Sequence, residues 1–215
     1  FGLSTYDFIS SRQITCAFVS NGVARIAVLD LATGQLAEPP WQGADASGMH
    51  VCDGHVVFVG GRPDATDAVN WLDLATGAVE PLRQSSTLVV DPDFLSAPEV
   101  VDFPTTGGAT SHAFYYPPRN ALYRAPDGER PPLIVISHGG PTGASTSTLR
   151  LGVQFWTSRG FGVLDVNYRG STGYGRTYRN MLDGQWGIVD VDDCVAGARF
   201  LADSGRVDGR RLLIR

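Results

Sequence analysis

The sequence lacks the features that define several large classes of protein. No apolar run approaches the roughly 18 residues of a membrane-spanning helix, and the amino end shows no signal-peptide pattern. Basic residues form no cluster, and the net charge of −5 and the pI near 5.3 argue against a nucleic-acid surface. We therefore expect a globular cytoplasmic protein with no nucleic-acid partner and no membrane partner.

Patterns that bind metals or form disulfides are also missing. The three cysteines, Cys16, Cys52 and Cys194, are widely spaced and form no Cys-x-x-Cys pair. They predict buried free thiols in a reducing compartment rather than a disulfide framework or a zinc site. No cluster of His, Asp and Glu has metal-ligand spacing. We expect neither a metal nor a cofactor.

A complete catalytic triad is absent as well. In α/β-hydrolases the nucleophile sits in a Gly-x-Ser-x-Gly elbow and the histidine follows it in the chain. This chain has no such elbow, and its last histidine is His138. Ser171 lies in a glycine-rich loop but has no histidine after it, so it is a decoy. That loop also departs from the Gly-x-Gly-x-x-Gly and P-loop patterns, so we expect it to line a cleft rather than to bind a nucleotide.

What is present begins with an internal repeat. Leu29-Asp30-Leu31-Ala32-Thr33-Gly34 recurs as Leu72-Asp73-Leu74-Ala75-Thr76-Gly77, 43 residues later. Asp-x-x-Thr-Gly is typical of a tight turn, in which Asp bonds its own backbone and Gly takes a positive φ. Short strands that repeat at about 40–45 residues predict β-propeller blades. Two copies cannot close a ring, so we expect further blades before Phe1 and interpret the chain as a fragment.

The pattern then changes to alternating strands and helices. The apolar run Leu133 to Ile136 predicts a strand buried on both faces, and Phe161 to Tyr168 predicts a second one. A helix is predicted from about Thr148 to Ser158. A clearer helix is predicted from Val191 to Asp203, with Asp190 as its N-cap and an apolar face. That face comprises Val191, Cys194, Val195, Ala198, Leu201 and Ala202.

The first of these strands ends at His138-Gly139-Gly140-Pro141. Ligands of open α/β sheets bind at the carboxyl ends of the strands, and glycines there let backbone N–H groups approach a ligand. Such a loop could form an oxyanion hole, as the loop after the third strand does in α/β-hydrolases. From the motif alone, a plain Gly-Gly-Pro turn with His138 as a packing residue is an equal alternative.

Four stretches in fixed order resemble the prolyl oligopeptidase family of serine peptidases, and most closely its acylaminoacyl-peptidase and aminopeptidase branch. They are Leu133–Pro141, Phe155–Gly160, Asp165–Gly175 and Gly184–Asp193. The resemblance covers about residues 97–215 closely and the repeat only in architecture. It implies the N-terminal half of an α/β-hydrolase sheet at 97–215, preceded by the last blades of a propeller at 1–96.

The resemblance also implies an activity and a site. The intact protein is expected to hydrolyse short peptides through an acyl-enzyme, and the triad is expected beyond Arg215, so the fragment alone would be inactive. The backbone N–H of Gly140 is the expected oxyanion donor. His138, Gly139 and Tyr174 are expected to border the substrate. The expected partners are a short peptide and the rest of the hydrolase domain, with a homo-oligomer left open.

Two alternatives to a peptidase remain at this stage. One is a non-catalytic module in which the propeller blades recruit a partner. The other is an α/β-hydrolase esterase, which the 43-residue repeat disfavours. Substrate preference and the choice between exo- and endopeptidase action are not encoded in the residues discussed.

Overall fold

The computed structural model describes residues 4–41 and 43–215 and divides the chain into two compact units. The first unit runs from the amino end to Val89 and includes Thr146–Leu149. The second comprises Val90–Ser145 and Arg150–Arg215. No helix in the described residues is long and apolar enough to cross a membrane.

The first unit consists of two four-stranded antiparallel sheets, each with its strands in chain order. One sheet contains β1 (Tyr6–Phe8), β2 (Gln13–Ser20), β3 (Val23–Asp30) and β4 (Leu36–Ala37). The other contains β5 (Asp45–Cys52), β6 (His55–Gly61), β7 (Ala68–Asp73) and β8 (Val79–Gln84). Alternating residues of these strands face a core that includes Ile26, Met49, Phe58 and Leu72. Four-stranded antiparallel meanders of this kind are the blades that the repeat predicts.

The two copies of the repeat fold into the same turn. Asp30 accepts hydrogen bonds from the N–H groups of the residues two and three positions later, both at 2.9 Å. Asp73 does the same at 2.7 and 3.0 Å. Gly34 and Gly77 close the turns with φ of 72° and 73°, a conformation that disfavours residues with a Cβ atom. The sequence-based explanation of the repeat is therefore confirmed at both turns.

The second unit is built on one mixed sheet with strand order β13-β11-β12-β10-β9. Its strands are β9 (Glu99–Pro104), β10 (Thr110–Tyr116), β11 (Leu133–Ser137), β12 (Gly162–Asn167) and β13 (Leu212–Ile214). β11 lies between β12 and β13 and pairs with both in parallel, whereas β9 and β10 are antiparallel. This central, parallel position explains why the apolar run of β11 does not alternate.

Helices cover the two faces of this sheet. They are α1 (Leu151–Thr157), α2 (Arg176–Asn180) and α3 (Val189–Asp203). Leu133 and Val135 of β11 pack in the core beneath α3, while Ile134 packs in a second core with Val153 of α1. Successive residues of the strand therefore serve opposite cores, as expected for a strand buried on both faces. Gly205 follows the end of α3 with φ of 77°, the conformation that commonly ends a helix.

Three details differ from the sequence-based expectations. α3 begins at Val189 with Ile188 in the cap position, so Asp190 is not the N-cap. Its carboxylate lies in the first turn and accepts the N–H of Gly187 at 2.7 Å. α1 begins at Leu151 rather than at Thr148, and Cys52 is exposed because β5 ends there at a tight turn.

The buried face of α3 was also predicted incorrectly. Val191 and Val195 are 53% and 42% exposed, whereas Asp193 is fully buried and Gly197 is buried. Burial of Asp193 is compensated by an arginine, described below, and Gly197 lets the helix approach the sheet closely. Hydrophobicity alone cannot identify a face whose centre is a paired charge and a glycine.

Candidate oxyanion site

The candidate site is the loop that follows β11. Exposure increases along β11, from the buried Val135 to the exposed Ser137. The next residues are His138, Gly139 and Gly140. Gly140 has φ of 76°, and no atom lies within 4 Å of the position where a Cβ would be. Gly139 and Gly140 are both exposed. This is the carboxyl end of a central parallel strand, where α/β folds bind ligands.

The backbone N–H of Gly140 is free to act as a donor. Among residues 4–41 and 43–215, none accepts a hydrogen bond from the N–H of Gly139 or of Gly140. An exposed N–H with no intramolecular acceptor can bind a negatively charged oxygen without first breaking a bond. The geometry is therefore compatible with the role predicted for Gly140.

The half-buried side chain of His138 faces the loop after β12. Its ring stacks on Tyr168 with centroids 4.4 Å apart. Its Nε2 atom lies 2.6 Å from the hydroxyl of Ser171, and its Nδ1 atom lies 3.3 Å from the carbonyl oxygen of Gly139. Burial lowers the pKa of His138 below its usual value, which favours the neutral ring at pH 7.

The contact between Ser171 and His138 resembles a nucleophile and its base but cannot act as one. Ser171 has no exposed surface, and its hydroxyl also lies 2.7 Å from the carbonyl oxygen of Tyr168. A nucleophile must reach a substrate, and this oxygen is enclosed. In addition, Nδ1 of His138 faces a backbone carbonyl rather than the carboxylate that would orient a catalytic imidazole.

Tyr174 lies in a different part of the glycine-rich loop. Its ring stacks on His112, with centroids 4.2 Å apart and planes 4° from parallel, and its hydroxyl accepts a hydrogen bond from Asn167 at 3.1 Å. Burial raises the pKa of Tyr174 to about 12. The structure thus brings His138, Gly139 and Gly140 together, while Tyr174 belongs to an aromatic cluster with His112 and Tyr178.

The loop after β12 is fixed by a buried ion pair. Asp193 of α3 accepts the backbone N–H of Arg169 at 2.7 Å and the guanidinium Nη2 at 2.8 Å. The side chain of Asp193 is fully buried and that of Arg169 is 8% exposed. Thr105 adds a hydroxyl bond to the same carboxylate at 2.6 Å. The carboxylate of Asp193 therefore connects α3, the loop after β12 and the segment after β9. It also fixes Tyr168, which directly precedes Arg169.

A polar network anchors the far end of the loop after β11. Ser145 donates its N–H to Asn167 at 2.7 Å and its hydroxyl to Asp165 at 2.7 Å. Asp165 is fully buried, forms an ion pair with Arg150, and has its pKa raised by burial. These contacts hold the segment that returns from the loop against β12.

Comparisons with known proteins show what the chain is similar to. Residues 147–215 match the model of the prolyl oligopeptidase family. The structure of a Mycobacterium tuberculosis puromycin-hydrolyzing peptidase superposes on the chain with a TM-score of 0.94 and 38% identity. The chain is thus similar to peptidases of the prolyl oligopeptidase family. The predicted fold class, an α/β-hydrolase half-sheet preceded by propeller blades, is confirmed by the same comparison.

Other similar proteins match over smaller shares or at lower identity. A mutant of puromycin hydrolase complexed with PGG superposes on 98% of this chain with a TM-score of 0.89 and 37% identity. Acylamino-acid-releasing enzyme 2 of Oryza sativa subsp. japonica is 34% identical over 88 residues, which is 41% of this chain and 11% of that protein. The chain spans 33% of the M. tuberculosis peptidase. It is therefore a small part of the length of its relatives.

Two features of the site were not predicted from the sequence. The hydroxyl of Tyr168 donates to the carbonyl oxygen of Gly140 at 2.6 Å, across 28 residues of sequence. The second feature is the full burial of Asp193 as the partner of Arg169. A signal was available in the second case, since an arginine directly after a buried strand needs a buried counter-charge if its loop packs inward.

Proposed function

We propose that this chain supplies one wall of the active site of a serine peptidase that hydrolyses short peptides, with the N–H of Gly140 as an oxyanion donor. The observation that carries the proposal is the exposed, unengaged N–H of Gly140 at the carboxyl end of a central parallel strand, in a chain similar to peptidases of the prolyl oligopeptidase family. The serine, histidine and acid of the triad would come from outside these 215 residues.

The chemistry assigned to Gly140 is stabilisation of a charge that develops during acyl transfer. A serine hydroxyl adds to the peptide carbonyl while a base takes its proton, and the carbonyl oxygen becomes negative. The tetrahedral intermediate then expels the amine, and water hydrolyses the acyl-enzyme. A donor that is already oriented stabilises the oxyanion without reorganisation cost, and one such donor contributes about 10²–10³ in kcat.

The proposed substrates are short peptides of the aminopeptidase or acylaminoacyl-peptidase type. Names of similar proteins support this choice: acylamino-acid-releasing enzymes, a dipeptidyl aminopeptidase, and puromycin-hydrolysing peptidases. His138, Gly139 and Tyr174 would border the peptide. In this proposal residues 1–96 belong to a propeller that admits only short chains and residues 97–215 belong to the hydrolase domain. The cysteines, none in a disulfide, suit the proposed reducing cytoplasm.

The direct test uses the full-length gene product and aminoacyl and N-acyl-aminoacyl nitroanilides. We expect turnover that a serine-directed phosphonate abolishes. If no nitroanilide is cleaved and the phosphonate labels nothing, the peptidase proposal is wrong, and a non-catalytic binding role takes its place.

The role of Gly140 is tested by Gly140→Ala with Gly160→Ala as a matched control. Both glycines have positive φ, 76° and 86°, and neither added Cβ would meet an atom within 4 Å. Each substitution should cost about 1–2 kcal/mol of stability, because L residues disfavour this conformation. Only Gly140→Ala should lower kcat, by about tenfold or more, since relief of that strain displaces the donor. Equal kcat in the two variants would remove Gly140 from the oxyanion site.

A further inference from the structure

We propose that Tyr168 is a positioning residue that fixes the peptide plane between Gly140 and Pro141. The inference deepens the proposed function and rests on it. It assigns this side chain an action on the loop rather than on the substrate.

The first peptide plane, between Gly140 and Pro141, is held by Tyr168. Its hydroxyl donates to the carbonyl oxygen of Gly140 at 2.6 Å. Tyr168 is itself only 5% exposed, and its ring is held between His138 on one side and the core beneath α3 on the other. Arg169, the next residue, is fixed by the buried ion pair with Asp193. The position of the Tyr168 hydroxyl is therefore fixed by the packing of its ring and by the neighbouring ion pair.

The second peptide plane, between Gly139 and Gly140, contains the candidate donor. The carbonyl oxygen of Gly139 lies 3.3 Å from Nδ1 of His138. In a trans peptide the C=O and the N–H point in opposite directions. Because this carbonyl faces His138, the N–H of Gly140 points away from the ring.

The neutral ring of His138 does not bond this carbonyl. The hydroxyl of Ser171 donates its one proton to the carbonyl oxygen of Tyr168 at 2.7 Å, so it accepts from Nε2 of His138 at 2.6 Å. A neutral imidazole has one N–H donor and one acceptor nitrogen. With the proton on Nε2, Nδ1 is an acceptor, and His138 acts on Tyr168 by stacking against its ring.

One torsion of Gly140 is consequently restrained. The torsion ψ links Cα of Gly140 to the Gly140–Pro141 plane, and glycine has no side chain of its own to restrict this angle. The contact from Tyr168 supplies the restriction, which is what a preorganised oxyanion donor needs.

The test for Tyr168 is Tyr168→Phe in the full-length gene product, with Tyr178→Phe as the matched control. The hydroxyl of Tyr178 also donates to a backbone carbonyl at 2.6 Å, that of Asn167, and the residue is equally buried. We expect Tyr168→Phe to lower kcat about tenfold or more with KM unchanged, and to weaken binding of a peptide boronic acid by a similar factor. Tyr178→Phe should change neither quantity. Unchanged kcat in Tyr168→Phe, or a rise in KM alone, would overturn the proposal.

One readout is independent of activity. Crystal structures of the wild type and of Tyr168→Phe should show the carbonyl of Gly139 facing His138 in the first and a reoriented or disordered loop at 139–141 in the second. If the wild type cleaves no peptide, the peptidase proposal fails while this comparison still decides whether the loop is braced. An unchanged loop in Tyr168→Phe would refute the bracing.

Discussion

Removal of the Asp193 carboxylate should destabilise the second unit more than any other single loss of charge discussed above. Asp193→Ala removes a carboxylate that accepts three hydrogen bonds. The donors are Nη2 of Arg169 at 2.8 Å, the backbone N–H of Arg169 at 2.7 Å and the hydroxyl of Thr105 at 2.6 Å. The guanidinium is then left in a site that is only 8% exposed. Breaking a buried pair by removing one partner costs about 3–5 kcal/mol, mostly as the penalty of the unpaired charge.

The assay is thermal unfolding of the full-length gene product, followed by circular dichroism and calorimetry. For a cooperatively unfolding unit of about 150–250 residues, each kcal/mol shifts Tm by about 2–4 °C, so the transition of the unit that contains Asp193 should fall by on the order of 10 °C. Asp192→Ala is the control, since Asp192 is adjacent on the same helix, is half-buried, and accepts one threonine hydroxyl at 3.0 Å. Its loss should cost about 1 kcal/mol or less.

The comparison of two further variants separates charge from packing. Asp193→Asn keeps the shape and one acceptor but leaves Arg169 without a counter-charge, so it should be nearly as destabilising as Asp193→Ala. A double variant that also replaces Arg169 with Met removes both charges and should recover part of the loss. Equal Tm values for Asp193→Ala and Asp192→Ala would refute the reasoning, because the buried pair would then contribute no more than a surface bond.

Three other predictions concern packing, titration and thiol reactivity. Gly197→Ala would place a Cβ 2.8 Å from a side-chain carbon of β12 and should lower the free energy of unfolding by roughly 1–3 kcal/mol. Gly152→Ala on α1, where space is open, should raise the free energy of unfolding by about 0.5–1 kcal/mol. Denaturant titration of the two variants compares these effects. Burial raises the pKa of Tyr116 to about 12, above an unfolded value of about 10, so its stabilising contribution is complete below pH 10 and is lost as the pH rises toward 12. Between pH 10 and pH 12 the free energy of unfolding of Tyr116→Phe should therefore fall by about 2 kcal/mol less than that of the wild type. Identical pH profiles of the two proteins would contradict this. Burial and nearby acidic groups raise the pKa of Cys194 to about 11. At pH 8, iodoacetamide should therefore alkylate the exposed Cys52 in the native protein and Cys194 only after unfolding, which peptide mapping measures. Rapid alkylation of Cys194 in the native protein would contradict its burial.

The features predicted correctly from the sequence are those that local chemistry determines. Asp30 and Asp73 form their turns with residues two and three positions away, so the repeat contains the whole interaction. The strand at Leu133 was predictable because its lack of alternation is a direct record of two buried faces. The family resemblance added the fold class, which the comparisons confirm.

The features that could not be predicted depend on partners distant in sequence. The face of α3 was misassigned because its centre, Asp193 and Gly197, is unfavourable or neutral on any hydrophobic scale. Asp193 is buried only because Arg169, 24 residues earlier, supplies the opposite charge. Gly197 is buried because the ring of Phe103 and a leucine of β12 fill the space a side chain would need. Neither condition can be inferred from the helix itself.

The candidate site illustrates the same division between local and distant causes. Two consecutive glycines after β11 predict a backbone that is free to adopt many conformations, which by itself would be unfavourable for an oxyanion donor. The restriction comes from β12 and the residues after it: Asn167 holds Ser145 beyond the loop, and Tyr168 holds Gly140 within it. Because β12 is parallel to β11 and adjacent to it, these residues end at the same edge of the sheet. The conformation of the Gly-Gly loop is therefore determined by the following strand rather than by its own sequence.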